Sequence, residues 1–244
     1  MEGKELKTKV STRIIIAAIG VVLLGSTIAM YMGMVLGYNS TQAESEVKEA
    51  RFQQLYMEWE AERAKLAGEL SNQYFSVFGP WRSEVKSFNN EAVTDLSVRD
   101  LVVGTGREIV ELDPDMSWTA ADGGPNMNKR VDTEYAAYYI GWIADGTIFD
   151  STLNSTTSPT GLTMPLAGGT FIEGWNRGII GMRIGGIREI TIPAKWAYAD
   201  QGAGEHIAPG ASIKFVIMLI DPVDDPEAPD EMWELYYELY GFGY

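Results

Sequence analysis

Residues 131–150 read VDTEYAAYYIGWIADGTIFD, and their reading decides the fold class. Through Ala144 the stretch is rich in aromatic and β-branched side chains, the composition of a strand, and it closes on the turn dipeptide Asp145-Gly146. Four runs of similar character surround it: LSVRDLVV (96–103), LTMPL (162–166), IREITIPA (187–194) and ASIKFVIMLI (211–220). Only one helix-like run, Gly174 to Met182, falls among them. Many strands with a single short helix predict an antiparallel sheet whose one apolar face needs a cover, hence an α+β domain over residues 96–222.

Working outward toward the N-terminus, residues 14–38 carry no charge, and about 20 apolar residues suffice to cross the hydrocarbon core of a bilayer. Lys4, Lys7, Lys9 and Arg13 precede this stretch, whereas Glu44 and Glu46 follow it. The positive-inside rule therefore predicts a cytoplasmic N-terminus over 1–13 and a single-pass signal-anchor transmembrane helix over 14–38. Everything downstream is then expected outside the cytoplasmic membrane. A signal peptide cleaved near Ala29 is the alternative, disfavoured because apolar character continues through Leu36.

Residues 39–95 read as a helical stalk or linker. From Thr41 to Leu70 the apolar side chains Phe52, Leu55, Tyr56, Trp59, Leu66 and Leu70 recur at helical spacing. Glu62 and Arg63 interrupt the stripe and no heptad is sustained, so packing on its own domain is expected ahead of a homodimer through this helix. Between Ser71 and Asn90 the aromatic residues Tyr74, Phe75, Phe78, Trp81 and Phe88 flank a Gly79-Pro80 break, which reads as a second short helix or a loop.

Composition narrows the function. With 34 acidic against 19 basic residues the net charge is −15, which argues against a nucleic-acid partner. Cysteine is absent, which excludes disulfides, thiolate metal sites, thiol catalysis and a lipid-modified cysteine. The glycine pairs do not follow a phosphate-cradling layout, and no cofactor or metal is expected. Residues 223–244 form an acidic, aromatic tail: from Asp221 onward there are eight acidic and no basic residues. It is expected to fold back as a short helix, with docking onto another protein as the alternative.

The order and spacing of several short motifs resemble FKBP-type peptidyl-prolyl cis–trans isomerases. They are Gly104-Thr105-Gly106, Tyr139-Ile140-Gly141, Asp145 to Ser151, Gly174-Trp175-Asn176-Arg177-Gly178-Ile179, Gly181-Met182, Gly185-Gly186, Ile192-Pro193, Trp196-Ala197-Tyr198, Ile207-Ala208-Pro209 and Phe215 to Leu219. The resemblance covers about half of the chain. It implies an FKBP-like antiparallel sheet of five strands wrapped around one short helix, with a shallow apolar pocket floored by Trp175. Tyr139, Phe149, Phe171, Ile172, Trp175, Tyr198 and Phe215 would line this pocket. Asp150 would stand beside the substrate carbonyl, with the Tyr198 hydroxyl and the Ile207 backbone N–H as hydrogen-bond donors.

The chemistry that this implies suits such residues. Rotation about a peptide bond faces a barrier of about 18–20 kcal/mol set by amide resonance, and no bond is made or broken. A site that binds the twisted amide better than either planar form is sufficient. The expected clients are proline-containing segments of exported or surface proteins, with folding assistance as the role. A non-catalytic binding or chaperone module, or a structural subunit of a membrane complex, is the alternative.

Several positions depart from the family pattern. The Ser/Thr-rich loop Ser151 to Gly161 is longer than in compact members and lacks the Arg that often pairs with the pocket aspartate. Leu162 stands in place of an aromatic, Ala199 in place of a glycine, and Ala208 in place of a proline. Residues 114–129 form an insertion read as a surface loop. His206, the only histidine, falls in the turn expected to overhang the pocket, as a modulator of substrate binding or as an exposed loop residue.

Overall fold

A computed structural model describes residues 40–112, 131–169 and 171–241. The expected membrane anchor at 14–38 and the insertion at 114–129 lie outside these residues. Among the described residues no helix is long and apolar enough to cross a membrane. The chain divides into two compact units: Glu62 to Pro226, and the described residues up to Ala61 together with those from Glu227.

The first helix, α1, runs Ser40–Phe78. It passes straight through Ser71, where the sequence reading expected a new segment to begin, because nothing between 71 and 78 opposes a helix. The break comes at Gly79, with Pro80 in the first turn of a 3-10 helix, Gly79–Glu84, where its missing N–H leaves no intrahelical bond unmade.

The larger unit then continues β1 (Ser97–Val102), β2 (Ala136–Ile143), β3 (Ile148–Ser151), β4 (Leu166–Ala167), α2 (Glu173–Ile179), β5 (Ile187–Ile192) and β6 (Ile213–Ile220). The strands form one antiparallel sheet in the order β1-β5-β6-β2-β3, and β4 pairs with the start of β2. Of the expected 162–166 strand, Leu162 makes only an isolated bridge to Leu153 and Leu166 pairs through β4.

The central strand β6 reads IKFVIMLI and is apolar at every position but Lys214. A run of that kind belongs to a strand covered on both sides, and this is what is found. Ile213, Phe215, Ile217 and Leu219 face one cluster, whereas Val216, Met218 and Ile220 face another. The expectation of one apolar face and one covering helix is thus corrected, because the sheet buries both faces.

On the first face α2 lies against β5 at close range. A Cβ at Gly174 would stand 2.2 Å from Ile192 Cγ2, and one at Gly178 would stand 2.6 Å from Ile190 Cδ1. Two glycines spaced i, i+4 therefore set the depth of the helix on the sheet. Arg188 of β5 then holds its far end. The buried guanidinium donates to the Gly178 and Ile180 carbonyls at 2.9 and 3.0 Å and to the Asp100 carboxylate at 2.6 Å. These carbonyls are among the last of a helix and lack intrahelical partners.

The second face is covered by the C-terminal part of α1. Phe78 is fully buried among Tyr138, Ile140 and Trp142, and the rings of Tyr74 and Phe78 lie 5.8 and 6.0 Å from that of Tyr138. The buried Ser71 hydroxyl donates to the Pro159 carbonyl at 2.8 Å and accepts the Leu162 N–H at 2.9 Å. This fastens the Ser/Thr-rich loop to α1.

In the smaller unit the tail folds back as a helix, α3, Asp230–Tyr240. The Phe52 ring of α1 packs 6.0 and 5.8 Å from Tyr236 and Tyr240, and Arg51 and Lys48 pair with Glu231 and Glu238. The apolar stripe of α1 here packs on its own chain. These ion pairs are exposed, so the packed rings and the buried Leu55 and Met232 supply most of the stabilisation.

Candidate functional site

Period-2 alternation along β2 sends Tyr139 to the face that carries α2. Pairing of β2 with β6 places Gly141 opposite Phe215, and pairing with β3 places it opposite Asp150. A Cβ at Gly141 would stand 2.5 Å from Phe215 and 2.8 Å from Phe149. The glycine thus makes room for two aromatic rings, and the position selects against any larger side chain.

These rings surround a cavity of about 310 Å³ lined by Tyr139, Phe149, Asp150, Leu166, Phe171, Ile172, Trp175, Tyr198 and Phe215. Trp175, on α2, is the hub of the aromatic contacts. Its ring lies 5.1 Å from Phe215 and 5.5 Å from Tyr139, both edge-on, and 5.2 Å from Phe171. Edge-to-face pairs of this kind hold rings in fixed orientations. The Trp175 indole N–H donates to the Tyr135 hydroxyl at 3.3 Å, and the buried Asn176 side chain holds the Phe171 carbonyl at 3.0 Å. Polar bonds beneath the cavity therefore fix its apolar floor.

Asp150 sits at the rim. The Tyr139 hydroxyl donates to Oδ2 at 2.6 Å and the Ser151 N–H donates to Oδ1 at 2.8 Å. The tyrosine thus orients the carboxylate even though the family's arginine is missing from the following loop. Burial above all, and then the bond to Asp150, push the Tyr139 phenol well above its ordinary value. Tyr198 is raised by burial and by the Asp150 charge, and burial pushes Tyr135 up to about 12. All three phenols remain protonated donors at neutral pH.

The structure brings together eight of the residues expected at the site and separates two. Ile207 is buried in the same cluster as Trp175 but does not line the cavity. Its N–H already donates to the Ala203 carbonyl at 3.1 Å, which corrects its expected role as a free donor. The Ile172 N–H, at the head of α2 and on the cavity wall, has no partner among the described residues. His206 is exposed and lines a neighbouring cavity with Ala208. Leu162 is buried under α1 rather than at the rim. Leu166 was missed, and its signal was available in register: opposite Ala137, it shares the face of Tyr139.

Comparison with known proteins adds three observations. The sequence profile of the FKBP-type peptidyl-prolyl cis-trans isomerase family matches residues 124–220. An FK506-binding protein of Neisseria meningitidis serogroup C is 41% identical over 87 residues, 36% of this chain and 77% of its own length. An FK506-binding protein of Streptomyces anulatus is 33% identical over 141 residues, 57% of this chain and 95% of its own.

Proposed function

Because this chain belongs to the FKBP-type peptidyl-prolyl cis–trans isomerase family and is a peptidyl-prolyl isomerase on that ground, we propose that it acts through the Trp175-floored cavity on proline-containing segments of exported or surface proteins. The carrying observation is the cavity itself: aromatic walls held edge to face, with a tyrosine-oriented carboxylate at the rim.

A proline ring entering this cavity exchanges water for the faces of Trp175, Phe215 and Phe171, which supplies most of the binding. The preceding amide then rests at the rim, away from bulk water. Loss of solvation weakens the resonance-stabilised planar forms relative to the less polar twisted one. The Tyr198 hydroxyl and the Ile172 N–H are the donors that orient the neighbouring client backbone, and Asp150 completes the electrostatic complement of the twisted amide. A millionfold acceleration corresponds to about 8 kcal/mol off the barrier.

The place of action follows from the sequence ahead of Ser40. An uncharged 14–38 stretch behind Lys4, Lys7, Lys9 and Arg13 supports a single-pass anchor with the isomerase domain outside the cytoplasmic membrane. Protease treatment of intact cells tests it: the domain is degraded if it is external and spared if it is cytoplasmic.

The enzymatic reading is tested by proline-isomerisation kinetics of the full chain on short Xaa-Pro peptides. Acceleration over the uncatalysed rate is expected, with kcat/KM reduced at least about tenfold in Asp150→Ala. If the folded wild-type chain accelerates none of the peptides, the cavity serves as a binding module instead.

A further inference from the structure

A second cavity, of about 270 Å³, lies along the same face of the sheet. Ile143, on its wall, is four residues from Tyr139 on β2, and alternate residues of a strand share a face. At about 3.3 Å per residue the two positions stand about 13 Å apart. Both cavities share the same two borders. The loop that begins at Tyr198 ends in Pro209 and Ala211, and the β2–β3 hairpin that carries Phe149 and Asp150 has Asp145 at its turn.

The second cavity is closed by chain from outside the family-like core. Asn90 donates to the Gly210 carbonyl at 3.3 Å and accepts the Ser212 N–H at 2.7 Å, while the Phe88 N–H donates to the Ala144 carbonyl at 2.7 Å. Its walls are mostly apolar, from Ile143, Ala208, Pro209 and Ala211, with His206 beside them, and among the described residues Asp145 is the only carboxylate that lines it. Asp145 Oδ1 accepts the Thr147 N–H at 2.8 Å. Hydrogen bonds from Thr147, its backbone N–H first, hold the carboxyl below its usual value, so it is ionised at neutral pH.

We infer that this cavity is a second subsite for the client polypeptide, which takes a lysine or arginine side chain about four residues from the proline held at Trp175. An extended chain advances about 3.3–3.6 Å per residue, so four residues bridge the two cavities. A long basic side chain lays its aliphatic stem on Ile143 and Pro209 and brings its charge to Asp145. This inference rests on the isomerase reading of the first cavity.

The test is kcat/KM of the full chain on single-proline peptides that carry Lys, Ala or Glu four residues before or after the proline. Wild type is expected to favour Lys over Glu by about threefold in one of the two series, the size of an exposed ion pair. Asp145→Asn, which keeps the acceptor for Thr147, removes the preference without changing the rate on the Ala peptide, and Asp145→Lys reverses it. Equal rates for all three peptides in both series, from an active wild type, overturn the subsite. If no peptide is accelerated, the isomerase reading itself falls, and the subsite with it.

Discussion

The two faces of the sheet are built from the same strands and put to different uses. On the face that carries α2, the aromatic side chains stand edge to face around an open cavity, and the hydroxyls of Tyr139 and Tyr135 are both hydrogen-bonded, one to Asp150 and one from Trp175. On the face under α1, Phe78, Tyr138 and Trp142 are packed to near-zero exposure, and the buried Tyr138 hydroxyl has no partner among the described residues. Polar atoms serve orientation around the open cavity, whereas volume filling dominates on the closed face. Changes to the closed face should therefore alter stability with chemistry intact, and changes to the open face should alter chemistry.

The most severe break of this comparison is on the closed face. Phe78→Ala empties a fully buried aromatic site and is expected to cost about 3–5 kcal/mol, read by denaturant unfolding. The molecules that remain folded should keep wild-type kcat/KM. Gly174→Ala should do both kinds of damage, because the added methyl meets Ile192 and lifts the helix that carries Trp175. A loss of about 1–3 kcal/mol is expected, with a higher KM for proline peptides. A gentler test lies at Ala199, the only non-glycine residue with positive φ among those described, at +48° beside Tyr198. The left-handed conformation costs an alanine about 1–2 kcal/mol, part of which glycine loses again through its freer unfolded chain. Ala199→Gly should therefore gain about 0.5 kcal/mol, seen as a small rise in Tm.

Much of the open face was legible in the sequence, because its residues sit in short motifs of fixed order. Eight cavity residues follow from the resemblance that these motifs carry, whereas the α+β class and the short helix around Trp175 follow from the strand-like and helix-like runs. The closed face was less legible. Nothing local in Tyr74, Phe75 and Phe78 says which surface they cover, although the unbroken apolar run of β6 shows that a second cover must exist. Ile207 was misplaced because a backbone N–H is identical in every residue, and only the Ala203 bond shows that it is engaged. The support of Asp150 was missed for a related reason, since Tyr139 and Asp150 are separated by a hairpin and meet through strand pairing.

Tyr138 and Tyr139 are neighbours on β2 that point to opposite faces, and each can lose one hydroxyl without loss of its ring. The most direct measurement is therefore the kcat/KM of Tyr138→Phe and Tyr139→Phe on one proline peptide, alongside their unfolding free energies. The account predicts that Tyr139→Phe, which frees Asp150, lowers kcat/KM by about tenfold or more, equal to at least about 1.4 kcal/mol. Tyr138→Phe should keep full activity and be neutral to about 1 kcal/mol more stable, because an unpaired buried hydroxyl is removed. Equal activities in the two variants, or a larger loss in Tyr138→Phe, would contradict the division of labour between the faces.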